Sequence, residues 1–286
     1  MEQSPEATPP PARNRMKRFI PNTVWRRGSE AYWWWRNRGN HQVAAMFSTR
    51  MRRDRNRLKI FRDRHIEERC FIIGNGPSLK QTDLSLLRNQ TTFGMNRIYL
   101  MFEELGFATT YLFTINTLVI EQCAAEIRVL SMPKFLTWRS RPWMSGDPGT
   151  IFIDTDYRGP ESFSVDLTGR VFEGGTVTYV ALQAAYWMGF REVVLVGVDH
   201  SYSTKGPANA TVVSQSEDPD HFHPEYFGRG FRWQLPDLEA SERSYRLARA
   251  AFEADGRKIV DATVGGQLEI FPKVDYMSLF PSQGES

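Results

Sequence analysis

The stretch CFIIGNGPSL, residues 70–79, combines a short apolar run with a glycine-rich turn and is decisive for the fold prediction. Four consecutive apolar residues ended by a glycine are typical of a strand buried on both faces of a parallel sheet. Apolar residues then recur at helical spacing between positions 79 and 87. The stretch therefore predicts a strand, a tight loop and a helix.

The same alternation of strand and helix continues along the chain. It predicts an α/β fold, doubly wound around a mostly parallel, Rossmann-like sheet. The polar and aromatic segment 201–235 is too long for a simple connection and predicts a lid loop. Strands are expected at 91–95, 111–115, 135–137, 150–153, 192–198 and 258–260, and helices at 97–105, 118–129, 178–188 and 238–254.

The composition points to an ordinary globular protein. Hydrophobic residues make up 41% and charged residues 24% of the 286 positions, which excludes fibrous and wholly disordered classes. Two cysteines are too few for a disulfide framework and fit a reducing compartment. The sequence lacks an apolar run of membrane-spanning length and a recognisable secretory signal, so we expect a cytoplasmic protein.

Positive charge is concentrated near the N-terminus. Residues 13–69 carry 17 basic and five acidic side chains, a net charge of +12, whereas residues 70–286 have a net charge of −7. Five Trp and Tyr residues lie among the arginines between positions 25 and 38. We therefore expect a disordered segment 1–16, a basic aromatic helical arm 17–69, and a nucleotide-binding α/β domain 70–286.

The basic arm has three possible roles. In the first, its tryptophans pack on the body while the arginines stay in water. Alternatively, aromatic and cationic side chains together suit a peripheral contact with an anionic membrane, at its inner face. Nucleic-acid binding is the least favoured reading of the same composition. The oligomeric state is not predicted.

The glycine-rich loop after the first strand is the first candidate binding element. Its glycines allow main-chain amides to approach a ligand closely, and Ser78 suits the N-cap of a following helix, whose positive end favours an anion. We expect a phosphate or nucleotide loop, with a plain tight turn as the alternative. Its residues are Gly74, Asn75, Gly76, Pro77 and Ser78.

Polar residues follow other predicted strands. Asn96 and Asn116 each come directly after a strand, as Asn75 does, and parallel strands would bring all three to one edge of the sheet. Carboxamides both donate and accept, so three of them suit a base or a sugar. The alternative is that each asparagine caps the helix that it precedes.

Two further groups complete the candidates. Gly175 and Thr176 open the helix at 178–188, where an anion would be favoured, and Asp199 follows the strand at 192–198. Three of the five histidines, His200, His221 and His223, follow within 24 positions and suit proton exchange. A metal site built from these histidines and Asp199 is a less favoured alternative, as is a metal-binding role for Asp154 and Asp156.

Residues 70–273 resemble a superfamily with three branches. These are bacterial CMP-sialic-acid-dependent sialyltransferases with a modified GT-A fold, motility-accessory-factor flagellin glycosyltransferases, and 6-hydroxymethylpterin pyrophosphokinases. The order and spacing of several segments carry the resemblance: IIGNGPSL (72–79), GMNRIY (94–99), YLFTINTLVIEQC (111–123), GGTVTYVALQAAYWMGF (174–190), EVVLVGVD (192–199) and HFHPEYFG (221–228).

The resemblance implies roles for individual residues. In the sialyltransferase branch the glycine loop and two following asparagines bind the CMP donor, which here falls on Asn75, Ser78, Asn96 and Asn116. A histidine in the late loop, matched by His221, takes the proton of the acceptor hydroxyl. Tyrosines steady the departing phosphate, for which Tyr202 is the nearest match, and Arg170 is near the position of a further arginine.

The resemblance implies an inverting glycosyltransferase that uses a CMP-linked sugar as substrate and requires no cofactor or metal. The acceptor would be a surface glycan or its lipid-linked precursor. Two alternatives stay open: a diphosphotransferase that acts on a pterin with ATP and Mg²⁺, and a non-catalytic nucleotide-binding protein.

Overall fold

The computed structural model describes residues 45–157 and 161–280. Contacts within the chain divide it into two compact units, Met1–Phe47 and Ser48–Ser286. The segment expected to be disordered and the part of the arm before residue 45 lie outside the described residues. In the first unit the structure describes only a short helical piece, residues 45–47.

Eight parallel strands form the central sheet of the second unit. Their order is β10-β7-β1-β2-β3-β4-β5-β6, and every neighbouring pair is parallel. This confirms the predicted α/β class with a mostly parallel sheet. The strands are β1 (Arg69–Ile73), β2 (Thr91–Met95), β3 (Tyr111–Thr114), β4 (Lys134–Thr137), β5 (Thr150–Asp156), β6 (Arg170–Phe172), β7 (Glu192–Val196) and β10 (Lys258–Asp261).

Helices flank the sheet, and both faces of its central strands are buried. The helix α5 lies in the main apolar cluster together with alternate residues of the strands, among them Ile72, Phe93 and Phe113. Residues of the opposite face, such as Phe71 and Leu112, are equally buried. The helices are α1 (Thr49–Leu58), α2 (Phe102–Leu105), α3 (Thr117–Arg128), α4 (Arg141–Met144), α5 (Val177–Trp187) and α6 (Leu238–Ala254).

The strand order reverses its direction between β1 and β7. From β1 the chain adds strands on one side up to β6, and it then returns to place β7 on the other side of β1. In open parallel sheets, ligands bind at such a reversal, just beyond the carboxyl ends of the strands. The topology therefore directs attention to the loops that follow β1 and β7.

The helix α1 packs on the sheet although its sequence is rich in arginine. The buried carboxylate of Asp54 accepts hydrogen bonds from Arg50, Arg57 and the main-chain amide of Phe152 in β5. Both arginines also donate to the carbonyl of Thr150. Residues 48–58, assigned from sequence to the arm, are thus fastened to β5 by charge-assisted hydrogen bonds.

Several local predictions differ from the structure. The expected helix after the glycine loop is a pair of short 3-10 helices, Pro77–Gln81 and Leu84–Leu87, because Asp83 interrupts the helical run and caps the second one. The segment 201–235 is not wholly irregular, since it contains an antiparallel hairpin of β8 (Thr211–Val213) and β9 (Arg232–Gln234). Among the described residues, no helix is long and apolar enough to span a membrane.

Candidate functional site

The candidate site lies where β1, β2 and β7 end. Asn75, Asn96 and Asp199 follow these three strands and meet at the carboxyl edge of the sheet. Asn96 and His200 have backbone φ angles of 50° and 56°, in the left-handed region that side-chain-bearing residues seldom occupy. Asp63, Glu67 and Asn209 adopt the same region elsewhere in the chain, so the location of the candidate site rests on the topology.

The glycines of the first loop are required by the close approach of β7. A Cβ on Gly74 would lie 2.1 Å from the carbonyl oxygen of Gly197, and one on Gly76 would lie 1.7 Å from a carboxylate oxygen of Asp199. The loop therefore packs directly against the chain that follows β7. The loops that follow β1 and β7 are therefore packed against each other.

The amides of this loop are used within the protein, which corrects the picture of an open phosphate cradle. Gly74 and Gly76 donate to the carbonyls of Val196 and Gly197, and the Ser78 amide and hydroxyl both donate to Asp199, at 3.0 and 2.7 Å. Ser78 is therefore not a helix N-cap. The 3-10 helix that follows has only five residues, so the predicted positive helix end is missing as well.

Asp199 occupies the place in which an anion was expected. Burial raises the pKa of its carboxyl group above the usual value, although the hydrogen bonds from Ser78 oppose this shift. A carboxylate that accepts two hydrogen bonds from the loop satisfies donors that would otherwise serve a phosphate. The structure thus assigns Asp199 to holding the loop in shape.

The three asparagines do not play the same part. Asn116 caps α3, because its side-chain oxygen accepts the amide of Leu118 at 2.9 Å. Asn75 and Asn96, in contrast, each have a buried side-chain oxygen with no hydrogen-bond partner. Buried polar atoms are nearly always paired in folded proteins, so these two oxygens are the candidates at this edge for a hydrogen bond to a ligand.

A segment of the lid, residues 218–228, covers the ends of β1 and β2. The amide of Phe222 donates to the carbonyl of Asn75 at 2.9 Å, which places the segment directly over the glycine loop. The guanidinium of Arg97 donates to the carbonyls of Glu225, at 2.7 Å, and Tyr226. The segment is therefore attached to both of the strands that carry unpaired asparagines.

His221 of this segment has the surroundings of a general base. Its Nδ1 lies 2.7 Å from a carboxylate oxygen of Asp218, which also accepts the amide of Phe227. Its ring stacks on Tyr226, with ring centroids 4.0 Å apart and planes 10° from parallel. A carboxylate on Nδ1 fixes the tautomer in which Nε2 carries the lone pair, so Nε2 is the atom able to accept a proton.

The half-buried Tyr202 and the buried Tyr226 adjoin His221. Tyr202 meets its ring edge-on, with centroids 6.2 Å apart, and burial raises the pKa of both Tyr202 and Tyr226. The Asn96 side chain and the Arg97 amide lie beside the Tyr226 hydroxyl, yet that hydroxyl has no well-formed hydrogen bond. A raised pKa keeps both hydroxyls protonated at neutral pH, as donors.

The second glycine turn has a packing role. Gly174 and Gly175 adopt left-handed φ angles of 53° and 79°, and a Cβ on Gly174 would lie 2.4 Å from the hydroxyl of Ser244 in α6. Thr176 caps α5 by accepting the amide of Thr178. The packing of α6 against this turn therefore explains why glycines occur at 174 and 175, and the helix cap explains Thr176.

Arg170 and the Asp154–Asp156 pair lie at the other side of the sheet. Arg170 is 3.6 Å from Asp156, and Arg55 is 3.7 Å from Asp154. Both acids belong to β5 itself rather than to a loop after it. The structure does not bring this group to the ends of β1 and β7.

The histidines of the lid have separate partners. Nε2 of His200 is 3.2 Å from Glu242, His221 pairs with Asp218, and Nδ1 of His223 accepts the amide of Glu225. Within 45–157 and 161–280, no group of three or more His, Cys, Asp or Glu side chains is arranged to hold a metal ion. The histidine–Asp199 metal site considered from sequence is not formed.

Sequence reasoning missed three residues of the site. Asp218, Tyr226 and Arg97 all lie in or beside quoted motifs, but none was singled out. The spacing Asp-x-x-His at 218–221 is a usable signal, since it permits the i, i+3 contact seen here. Arg97 gives no such signal, because its carbonyl partners are 128 and 129 positions away.

We next compared the chain with known proteins. Comparison with curated protein sequences finds no match. Among solved structures, the MAf glycosyltransferase from Magnetospirillum magneticum AMB-1 is similar, with a TM-score of 0.48 and 14% sequence identity. The alignment covers 82% of this chain and 39% of that protein, so the chain spans about two fifths of its length.

Residues 46–205 match the family described as "6-hydroxymethylpterin diphosphokinase MptE-like". The match contains the glycine loop, both unpaired asparagines and Asp199, and it ends before the segment with His221. It confirms the resemblance to the superfamily that includes the pterin branch. Because the match covers more than half of the 286 residues, this chain belongs to the MptE-like family.

Proposed function

We propose that the protein is an inverting glycosyltransferase that transfers a sugar from a nucleotide-activated, CMP-linked donor to a hydroxyl of a surface glycan or lipid-linked acceptor. The observation that carries the proposal is the His221–Asp218 pair, in a lid segment that is bonded to Asn75 and to Arg97, the neighbour of Asn96. A general base next to unsatisfied neutral hydrogen-bonding groups suits the deprotonation of a hydroxyl beside a bound nucleoside.

In the proposed reaction, Nε2 of His221 removes the proton of the acceptor hydroxyl. The acceptor oxygen forms a bond to the anomeric carbon while the bond from that carbon to the phosphate oxygen breaks, and its electron pair leaves with CMP. Asp218 stabilises the imidazolium that forms and stays ionised. Attack from the face opposite the leaving group inverts the configuration, and no covalent intermediate is required.

The hydrogen bonds within the glycine loop change the expected position of the donor's phosphate. The carboxamides of Asn75 and Asn96 suit the neutral base or ribose, since neither adds charge. The phosphate is expected to meet the protonated hydroxyls of Tyr202 and Tyr226, because most amides of the glycine loop already have partners. Donors that meet the charge developing on the leaving group lower the barrier for transfer.

A diphosphotransferase is the second candidate, favoured by the family match. Transfer from ATP with Mg²⁺ needs carboxylates for the metal and cations for the phosphates. The acids at this edge do not fit that need: Asp199 is bound to Ser78, Asp218 to His221, and Asp220 to the amides of Ser203 and Thr204. The geometry therefore favours the base-assisted transfer.

Thermal shift measurements with CMP, CDP, UDP, GDP and ATP, with and without Mg²⁺, separate the candidates. Stabilisation by CMP without metal is expected, whereas a response to ATP only with Mg²⁺ would favour the diphosphotransferase. No response to any nucleotide would contradict both enzymatic candidates. Binding of CMP without turnover of any CMP-linked sugar would leave the non-catalytic nucleotide-binding alternative.

The variant His221→Ala tests the base, with His223→Ala as the matched control from the same HFH sequence. Loss of a positioned general base is expected to lower turnover by about 10²–10⁴-fold with little change in CMP affinity. The control is expected to retain turnover, since His223 accepts the amide of Glu225 and meets the ring of Phe222 but does not contact His221 or Asp218 in the described structure. Near-normal turnover of His221→Ala would remove His221 from the mechanism.

A peripheral membrane contact of the N-terminal arm remains part of the proposal. The net charge of +12 in residues 13–69 and the arginines that flank the Trp and Tyr residues support it. Because residues 48–58 are bonded to β5, the deletion should stop at residue 47. We expect the full chain, but not the deletion variant, to sediment with vesicles that contain anionic lipid; equal sedimentation would overturn this contact.

A further inference from the structure

Arg97 is an almost fully buried arginine beside the candidate site. It follows the unpaired Asn96 at the end of β2, and only 8% of its surface is exposed. Its guanidinium donates to two consecutive main-chain carbonyls of the lid, those of Glu225 and Tyr226. Arginines are rarely buried without strong pairing, because the charge loses its hydration.

The other contacts of the Arg97 guanidinium do not explain its burial. Glu126 of α3 is its one carboxylate partner among the described residues, at 3.3 Å, and that side chain is 47% exposed. The guanidinium also lies 5.3 Å from the ring centre of Phe231 in the lid. Most of its contacts therefore fasten the lid to β2 rather than form an ion pair.

The two carbonyls lead directly to the candidate base. One belongs to Tyr226, whose ring stacks on His221 at a centroid distance of 4.0 Å. The hydroxyl end of the same tyrosine lies beside the Arg97 amide and the Asn96 side chain. The Tyr226 carbonyl thus accepts a hydrogen bond from Arg97, its hydroxyl lies beside the two residues that follow β2, and its ring supports one face of His221.

We propose that Arg97 is a positioning residue that sets the ring of His221 over the end of β2 through Tyr226. Nη1 of Arg97 donates to both carbonyls, while Nη2 reaches Glu126 and Nε reaches Tyr99. A lysine carries all its donors on one ammonium nitrogen and does not reproduce this set. The inference rests on the proposed function only in assigning a reaction to His221. The placement of the imidazole is a structural property that is measured separately from any turnover.

The test compares Arg97→Lys with Arg232→Lys. Arg232 also ties the lid to α3, through an exposed ion pair with Glu121, but it does not touch Glu225 or Tyr226. Nitrogen-15 spectra of the histidine side chains are recorded for the wild type and both variants. We expect the His221 signals of Arg97→Lys to shift away from the single tautomer held by Asp218, and those of Arg232→Lys to stay unchanged.

Amide hydrogen exchange shows whether the effect is local. In Arg97→Lys the amides of Phe222 and Phe227, which bond to Asn75 and Asp218, are expected to exchange about 10–100-fold faster. The amide of Gly74, bonded to Val196 in the sheet, is expected to keep its wild-type rate. A comparable rise throughout the sheet would overturn the proposal, because Arg97 would then be a general stability residue.

Activity provides an independent readout. With a CMP-linked donor that the wild type turns over, kcat of Arg97→Lys is expected to fall about 10²-fold while KM for the donor changes less than threefold, because a displacement near 1 Å costs about that much. Unchanged His221 signals in Arg97→Lys would overturn the inference. If the wild type turns over no donor, the proposed function fails, and the spectra still decide the role of Arg97.

Discussion

Asn96 and Asn116 look alike in the sequence, yet the structure uses them differently. Each is the first or second residue after a buried parallel strand, at neighbouring positions in the sheet. Asn116 continues directly into the 12-residue helix α3 and its side chain caps that helix. Asn96 adopts a left-handed φ, leads into a short 3-10 helix, and leaves its side-chain oxygen buried and unpaired.

The comparison shows what turns a polar residue at a strand end into part of a site. An asparagine before an α-helix has amide donors within reach, so its side chain is used locally. The left-handed turn at Asn96 removes that option and directs the chain toward the lid, where Arg97 holds Tyr226. The region at the end of β2 is built around the lid, and the region at the end of β3 around a helix.

The largest expected effect concerns the lid above the end of β2. Replacing Asp218 by Asn removes the carboxylate that fixes the tautomer of His221 and stabilises its charged form. Turnover is expected to fall about 10²–10⁴-fold, measured with a CMP-linked sugar, while CMP affinity changes little. The exposed Asp166→Asn is the control, and equal activity of the two variants would contradict the pairing of Asp218 with His221.

The substitution Asn96→Gly removes the unpaired side chain and tolerates the left-handed backbone. CMP affinity is expected to fall about tenfold, since a hydrogen bond to a ligand contributes about 1–1.5 kcal/mol. The free energy of unfolding should change little, because the oxygen has no partner in the protein. Isothermal titration checks the affinity; a loss of stability without a loss of affinity would show that Asn96 is structural.

The reverse outcome is expected for Asn116→Ala. Loss of the cap should lower the free energy of unfolding by about 1 kcal/mol, measured by urea denaturation. CMP affinity is expected to stay within about twofold of the wild type. If the CMP affinity of Asn116→Ala fell as far as that of Asn96→Gly, both asparagines would contribute to CMP binding, as the sequence alone suggested.

The smallest effect concerns Asp199 at the end of β7. Burial raises its pKa above the usual 3.8, so the folded protein holds this proton more tightly than the unfolded chain. This contribution to stability is therefore complete below the unfolded pKa and is lost as pH rises through the folded pKa. Asp199→Asn should lack this pH-dependent part in urea titrations that start below pH 3.8 and rise from there; an identical pH profile would contradict it.

The parallel sheet was predictable because its strands are short apolar runs. Residues 70–73 and 192–196 are buried on both faces and read plainly as strands. The three-residue strands Arg170–Phe172 and Thr211–Val213 carry no such run and depend on tertiary pairing. The 3-10 geometry of 77–87 was missed because apolar spacing at 79–87 resembles that of an α-helix.

The site was partly predictable for a similar reason. Asn75, Asn96 and His221 lie in local motifs, whereas the bond from Ser78 to Asp199 and that from Arg97 to Tyr226 join residues more than 120 positions apart. Local spacing gives no information on such pairs. The sequence therefore indicated free loop amides, and the fold shows that two carbonyls and the Asp199 carboxylate at the end of β7 already accept most of them.

The side chain of Gln122 on α3 pairs with the main chain of β9. The carboxamide of Gln122 donates to the carbonyl of Arg232 and accepts its amide, at 2.8 and 3.0 Å, so it pairs with both main-chain groups as a neighbouring strand would. The free edge of the hairpin formed by β8 and β9 is thereby hydrogen-bonded at Arg232. A peptide from another molecule would find no free main-chain donor or acceptor at Arg232. This pairing therefore protects the two-stranded element from extension by an added strand.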